Sequence, residues 1–410
     1  MKANNRLCPV CSSEKKAVLA PIEFTLFDGH PMNGGYDLVQ CANCGFVFAD
    51  TSVTQQQLDS YYTELSKYED KTISTGGGYD QNDRDRLRDA ALLLSSKIDD
   101  KGARMLDLGC ANGGLLRELK NLGFENLVGI DPSSVCVEAA RIATKCDVFQ
   151  YSLFSIPKEI GKFDVVILSH VLEHVLDVGR AIDIIDNLLS DGGCVYLECP
   201  NAACYYQVIH APLQEFNSEH INHFSELSFR NLMLVRGYEE VLVGDKVFKI
   251  ASNQDYHAVY GIFRKCEGAI GQPIIFDHEI SKAIQRYVQA SNNMFTEISE
   301  QLEAMPEDVA IALYGVGQFS FKLLSMKTLK NRSNIKLFDN NKVNVGKVIR
   351  GAVVLHGDKL LEEYRKESFT VIISSLIHEA PIRRNIEIKF GELGYIPTII
   401  GFSKVLESTD

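Results

Sequence analysis

The 410-residue sequence predicts an α/β protein with two Rossmann-like units behind a metal-stapled amino terminus, on three observations. Apolar runs of strand length alternate with amphipathic runs of helix length, and do so twice along the chain. Each half carries a glycine-containing turn where a strand gives way to a helix. Ahead of both lie two cysteine knuckles, Cys8-Pro9-Val10-Cys11 and Cys41-Ala42-Asn43-Cys44. The length suits two or three domains, because single cores stop growing beyond about 250 to 300 residues. A formal charge of -12 argues against a long nucleic-acid footprint and against docking on an anionic membrane. It fits a small-molecule or sugar-nucleotide substrate. No apolar run reaches membrane-span length and the amino terminus lacks a signal-peptide pattern, so a cytoplasmic location with reduced thiols is expected.

Residues 1–50 hold both knuckles, separated by 29 residues. Reduced CxxC pairs of this kind close one tetrahedral site, so structural zinc on Cys8, Cys11, Cys41 and Cys44 is expected; a redox pair or an iron site would use the same thiols. Lys and Arg are sparse between the knuckles, which favours a folding staple over a nucleic-acid contact. Residues 51–100 predict helices around the break Ser74-Thr75-Gly76-Gly77-Gly78, with Tyr61, Tyr62, Tyr68 and Tyr79 nearby. Glycines beside tyrosines suit a lid, and equally a linker with surface tyrosines.

The domain expected over 101–266 has strands at 104–107, 127–131, 147–150, 163–169 and 193–199. The runs Glu239 to Ile250 and His257 to Arg264 would form an antiparallel edge. The first strand opens into Asp107-Leu108-Gly109-Cys110-Ala111-Asn112-Gly113-Gly114 and the second ends on Asp131. Gly109 and Gly113 let the main chain approach a ligand, and Ala111 is small enough to stand where a third glycine is usual. Asp107 suits an ammonium and Asp131 a ribose diol. Together with the run Phe163 to His170, these features favour S-adenosylmethionine (SAM) over a dinucleotide. The segment looks like a class I SAM-dependent methyltransferase, with Ser169 and His170 counted among the cofactor contacts. The plain alternative is a strand-turn-helix whose glycines only make the turn.

A connecting helix is expected over 267–305 and a smaller Rossmann-like domain over 306–410. There Gly315-Val316-Gly317 follows a strand, Ser320 stands in place of a third glycine, and a later strand ends at Asp339. Dinucleotide binding, nucleotide-sugar contact and simple architecture all remain open for it.

Between the two units lies Phe216-Asn217-Ser218-Glu219-His220-Ile221-Asn222-His223-Phe224-Ser225. A Glu-His pair followed by Phe-Ser resembles the active-site segment of sugar C-methyltransferases, which act on nucleotide-linked keto-deoxysugars. The order of zinc knuckles, tyrosine-rich lid, SAM domain, Glu-His segment and terminal Rossmann-like domain is similar over nearly the whole chain. The resemblance implies that Glu219 and His220 are the catalytic pair, that His174 is the active-site histidine after the fourth strand, and that Tyr68 is a lid tyrosine. Asn217 stands where the family has a tyrosine; it can donate a hydrogen bond but cannot act as an acid. Carbon becomes nucleophilic once a proton is removed beside a carbonyl, which requires a base, here His220, and donors for the enolate oxygen, here His174 or Asn217. Three other functions share parts of this pattern: O- or N-methyl transfer, a dinucleotide oxidoreductase, and a zinc-dependent scaffold or nucleic-acid module.

Overall fold

The computed structural model describes residues 6–32, 34–65, 76–251, 254–266, 271–364, 368–403 and 405, which form two compact units. The first takes the described residues of Met1–Leu19, Asp37–Val208 and Glu219–Ile284; the second takes those of Ala20–Tyr36, Ile209–Ser218 and Gln285–Asp410. Of the segments expected from sequence, the described residues of 51–100 lie in the first unit and those of 306–410 in the second, while those of 20–36 and 209–218 also join the second.

In chain order the first unit begins with β1 (Lys16–Glu23), β2 (Gly35–Cys41) and β3 (Val47–Asp50), the first two of which straddle the division. Next come α1 (Gln55–Ser60), a π-helical turn at Tyr61–Leu65, and α2 (Gln81–Ser95). Then follow β4 (Met105–Leu108), α3 (Gly114–Asn121), β5 (Leu127–Asp131), α4 (Ser134–Thr144), β6 (Asp147–Gln150), β7 (Phe163–Ser169), α5 (Val178–Leu188) and β8 (Leu189–Pro200). The last elements are β9 (Asn222–His223), α6 (Glu226–Leu234), β10 (Tyr238–Ala251) and β11 (Gln254–Lys265).

Seven of these strands make one sheet in the order β10-β11-β8-β7-β4-β5-β6. Strands β8, β7, β4, β5 and β6 are parallel, and β11 and β10 add the expected antiparallel edge. Strand β8 is longer than the predicted 193–199 because its ends are paired too, Leu189 with Phe163 and Pro200 with Ala258. Alternate residues of the central strands face opposite layers. Val166, Leu168, Val195 and Leu197 pack with Ile182 and Ile185 of α5, whereas Val165, Ile167 and Tyr196 pack with Leu94, Leu115 and Leu119 of α2 and α3. Buried positions Val178, Ala181, Ile182, Ile185 and Leu188 give α5 its apolar stripe, and Asp177 caps it by accepting from the Arg180 amide at 2.9 Å. Full burial of each such aliphatic side chain contributes roughly 1.5–3 kcal/mol.

The smaller sheet, ordered β1-β2-β3-β9, reaches the Glu-His segment. Strand β3 pairs antiparallel with β9, Val47 opposite His223 and Phe48 opposite Asn222. Asn222, 1% exposed, donates to the carbonyls of Leu172 (2.8 Å) and Val175 (2.6 Å). Arg6 donates to Asn222 Oδ1 (2.7 Å) and to the carbonyls of Ala49, Ile221 and Leu176 at 3.0, 3.1 and 2.6 Å.

Helix α7 (His278–Glu303) starts in the first unit and ends in the second. The second unit continues with β12 (Ala310–Tyr314), α8 (Gln318–Ser325), α9 (Lys327–Lys330), β13 (Ile335–Asp339), β14 (Val348–Ile349) and β15 (Ala352–His356). It closes with α10 (Leu360–Glu363), β16 (Phe369–Ile373), α11 (Glu379–Gly391) and β17 (Thr398–Gly401). Its sheet runs β14-β15-β13-β12-β16-β17, parallel except for β14. In its glycine turn, Val316 N donates to Asp339 Oδ2 (2.9 Å) and Gly317 N to Ser320 Oγ (2.8 Å). Ser320 thus caps α8 where a dinucleotide motif would have a glycine. Among the described residues no helix is long and apolar enough to cross a membrane.

Replacing Asn222 with Ala is expected to leave the Leu172 and Val175 carbonyls with only their longer bonds, from Val175 N at 3.2 Å and Arg6 Nη2 at 3.4 Å, and to destabilise the first unit by about 2–4 kcal/mol. Urea unfolding followed by tyrosine fluorescence measures this, and a loss below the scale of one hydrogen bond would contradict it.

Candidate active site

In open α/β sheets ligands bind beyond the carboxyl ends of the strands, where the strand order reverses. In the first unit that point lies between β4 and β7, and a cleft of about 480 Å³ opens there. Asp107, Gly109 and Ala111 line it from the turn after β4, and Asp131 from the end of β5. Ser169, His170, Glu173 and His174 line it after β7, with Glu219 and His220 opposite in sequence.

The glycine turn is shaped by close contacts. Gly109 and Gly113 have φ of +78° and +77°, and a Cβ on Gly109 would stand 2.7 Å from Val171 Cγ2. Ala111 also adopts a left-handed conformation, φ 44°. Its amide donates to Asp131 Oδ2 at 2.9 Å while Ser133 N donates to Oδ1 at 2.9 Å, so the acid at the end of β5 fixes the turn it faces. Asp107, 3% exposed, has its carboxyl pushed up to about 7 by burial and by the neighbouring Asp131, against the pull of Arg86. Among the described residues no cation pairs with this carboxyl, and an arriving ammonium would supply one. Ser169 Oγ is buried and, among the described residues, has no hydrogen-bond partner.

His170, at φ 56°, sits between two buried carboxylates, with Nδ1 3.2 Å from Glu173 Oε1 and Nε2 3.3 Å from Glu198 Oε1. Burial would lower its pKa, but the hydrogen bonds and charges of Glu173 and Glu198 raise it. Burial would likewise raise Glu198, yet Lys246, 2.9 Å from Oε2, together with His170, holds it well below the carboxylate range. Tyr196 also donates to Glu198. His174 stands beside His220, ring centroids 4.9 Å apart, and turns Nδ1 to the Glu219 carbonyl at 3.1 Å. The ring of Tyr62 meets His174 edge-on at 5.6 Å.

Of the residues singled out from sequence, the cleft brings together Asp107, Gly109, Ala111, Asp131, Ser169, His170, His174, Glu219 and His220. Gly113 starts α3 behind the turn. Asn217 belongs to the second unit, where its amide donates to the Gln214 carbonyl at 3.3 Å. Tyr68, with Ser74 and Thr75, lies outside the described residues. Sequence reasoning passed over Arg86, which lines the cleft, and Glu198 and Lys246 behind His170; Tyr62, also in the lining, it counted only among the tyrosines of a lid or linker. Only Glu198 left a signal, a carboxylate inside the apolar run Val195-Tyr196-Leu197-Glu198-Cys199.

The knuckles converge as expected. Sγ of Cys8 lies 3.5 Å from that of Cys44, and Sγ of Cys11 3.5 Å from that of Cys41, all four falling within 4.8 Å of one another. Zn–S bonds of about 2.3 Å in a tetrahedron put sulfurs about 3.8 Å apart. The cluster is therefore compatible with a zinc site and leaves no protein position open for catalysis.

Residues 79–243 match the family model described as a methyltransferase domain, a span that covers α2 through most of β10. With the strand order and the cleft, this gives the first unit the α/β fold of class I SAM-dependent methyltransferases. Among curated proteins the chain is similar to a ubiquinone biosynthesis O-methyltransferase of Rhodopseudomonas palustris (strain HaA2), 37% identical over 106 residues, 24% of this chain and 37% of the relative. A second enzyme of that name, from Xanthomonas oryzae pv. oryzae (strain PXO99A), is 32% identical over 114 residues, 26% of this chain and 47% of the relative. The chain thus spans less than half the length of these relatives. Among solved structures it is similar to the N-methyltransferase NodS from Bradyrhizobium japonicum WM9, bound to S-adenosyl-L-homocysteine (SAH), at 18% identity and TM-score 0.37, covering 46% of this chain and 90% of that one. It is also similar to the magnesium protoporphyrin IX methyltransferase of Synechocystis PCC 6803, at 16% identity and TM-score 0.40, covering 51% and 98%.

Because the folded pKa of Asp107 exceeds its ordinary value of 3.8, the folded state holds the extra proton between about 4 and 7, and stability falls as pH rises through that interval. The slope from this group is at most about 1.4 kcal/mol per pH unit. Asp107→Asn is expected to remove that component, so urea midpoints of variant and parent should diverge toward alkaline pH in the variant's favour. Parallel pH profiles would contradict the burial of an uncompensated carboxyl.

Proposed function

We propose that the protein is a SAM-dependent C-methyltransferase acting on a nucleotide-activated keto-deoxysugar through an enolate. The observation that carries this reading is the pairing of His220 with His174 in a cleft that also contains the glycine turn and Asp131. Support comes as well from the acidic balance of the chain, which fits a small-molecule substrate better than a nucleic acid.

In this reading Asp107 holds the ammonium of the cofactor, Asp131 the ribose, and the backbone at Gly109 and Ala111 lies against its main chain-like portion. Bound there, SAM supplies an electrophilic methyl group. His220 takes a proton from the carbon beside the substrate carbonyl, and the negative charge that develops on the oxygen is met by an N–H donor. A carbonyl oxygen can only accept, so the contact with Glu219 puts a hydrogen on His174 Nδ1. His174 can then donate toward substrate through Nε2 only when that nitrogen also carries a proton. The side chain of Glu219 orients the segment that presents His220. The four cysteine thiolates would hold a structural zinc, which would keep the amino-terminal strands folded.

O-methylation is a second reading, favoured by the name of the curated relatives, in which His220 would deprotonate a hydroxyl. Solvent exchange separates the two. With a panel of nucleotide-linked keto sugars, C-methylation requires deuterium wash-in beside the ketone and O-methylation does not. His220→Asn is expected to keep SAM affinity while lowering turnover by a factor on the order of 100 to 10,000, with wash-in falling in parallel. Unchanged wash-in per folded molecule would sink the assigned mechanism.

Metal analysis is expected to find one zinc per chain. Cys41→Ser should lower the yield of folded protein more than it lowers turnover per folded molecule. A zinc-free native protein would remove this assignment.

A further inference from the structure

We propose that the outer end of the β10–β11 hairpin is the acceptor side of the cleft, where Phe248 and Tyr256 form a platform for the flat, uncharged base of a nucleotide-linked methyl acceptor. The inference rests on the nucleotide-sugar reading above and adds a subsite that it does not contain. The two strands pair from end to end, from Tyr238 opposite Lys265 to Ala251 opposite Gln254. Strand β8 accompanies β11 only over residues 258–264 and ends at Pro200. The hairpin therefore runs on past the carboxyl end of β8, the edge at which the cleft opens. Phe248, Lys249, Ile250 and Tyr256 line the cleft there.

Position and chemistry both single out this end. The glycine turn after β4, Asp131 after β5 and Tyr151 after β6 line one flank of the cleft, the histidines after β7 its middle, and the hairpin, beyond β8 in the sheet, the other flank. With the methyl donor on the first flank and the reacting carbon at His220, the second is left for the rest of the acceptor. Phe248 and Tyr256 are cross-strand partners with ring centroids 5.3 Å apart, and both rings meet His170, at 6.1 and 6.3 Å. Charges around them cancel in pairs: Arg86, 5.7 Å from the centre of the Phe248 ring, with Asp83 at 2.9 Å; Lys249 with Asp255 at 2.7 Å; Lys246 with Glu198 at 2.9 Å. What the hairpin end offers is therefore ring surface rather than net charge. Both rings are half-buried, and Ile250 and Val247 beside them are 45% and 50% exposed. Sheet edges ordinarily carry polar side chains, and apolar groups left exposed along a cleft mark a ligand surface. A base stacks on such rings by its face, whatever its edge pattern. The glycine turn of the second unit is the rival place for a nucleotide, but there the amides of Val316 and Gly317 are already bonded to Asp339 and Ser320.

The test titrates thymidine, uridine, cytidine, adenosine and guanosine diphosphates into the full-length protein saturated with SAH. In the parent at least one should bind, and nuclear Overhauser effects from its base protons should reach the ring protons of Phe248 and Tyr256. Phe248→Leu and Tyr256→Leu should each weaken that nucleotide about 5- to 100-fold, the scale of losing one stacked ring. The factor should be the same for the monophosphate as for the diphosphate, because the platform holds the base and not the phosphates. SAH affinity should hold in both variants, whereas a purely structural role for the rings would lower both affinities together. Base protons that instead approach Gly315 in the second unit, or folded variants that bind the nucleotide undiminished, overturn the platform and leave the nucleotide-sugar reading standing. A parent that binds none of the five overturns both. The parent spectra decide the matter even if neither variant folds.

Discussion

One wall of the cleft in the first unit depends on a two-residue strand. Asn222 and His223 pair with β3, and through that ladder the segment bearing Glu219 and His220 is pinned beside the turn after β7. The segment has little regular structure to hold itself. Its position comes from backbone pairing with the amino-terminal sheet, from Asn222 bonded to the carbonyls of Leu172 and Val175, and from the Arg6 guanidinium gathering carbonyls of three separate segments. Arg6 is itself half-buried, and the water its guanidinium loses lowers its pKa despite the nearby Cys8 and Asp50. A planar fork of five donors suits this task and an ammonium would not, since several acceptors lie around one plane. The cysteine cluster begins two residues further along, at Cys8, and includes Cys41 at the end of β2, the strand that pairs with β3.

Much of this was legible because buried parallel strands appear as continuous apolar runs. Phe163 to Ser169 and Leu127 to Asp131 could be placed to the residue, each with a turn signal at both ends. The glycine turn was legible for a similar reason, since Gly109 is required by its contact with Val171 and Asp131 lies at the distance that one helix and one strand impose. The β9 pairing was not. Two residues carry no periodicity, and the partner strand lies more than 170 positions away in sequence. Asn217 shows the same limit from the other side. Two positions from Glu219 in sequence, it belongs to a different compact unit, because neither helix nor long strand runs through that stretch to keep neighbours together.

The charged groups beneath the cleft escaped for another reason. Lys246 lies in an edge strand whose pattern is polar, and Arg86 in a helix rich in charge; nothing in either context distinguishes a side chain in solvent from one turned toward a buried acid. What selects them is Glu198, which sits at 0% exposure where an apolar residue would satisfy the strand. An ionised carboxylate there is tolerable only with cations in reach, and Lys246 and His170 meet it at 2.9 and 3.3 Å. The acid was visible in sequence, whereas its partners required the fold.

The two glycine turns of the chain show how one backbone device is turned to different ends. Each precedes a helix, and each is locked by an acid at the end of the next strand, Asp131 for Ala111 and Asp339 for Val316. In the second unit the acid is surrounded by its own chain: Asp339 also accepts from Asn344 Nδ2 at 2.9 Å and from Asn341 N at 2.8 Å, and Ser320 Oγ takes the Gly317 amide. Those bonds use three of the roughly four acceptor positions of the carboxylate and one of the donors that a phosphate would need. In the first unit the turn instead borders an open cleft next to Asp107, a buried carboxyl that no cation pairs with among the described residues. The two turns therefore differ less in the spacing of their glycines than in which polar groups the fold has already satisfied around them.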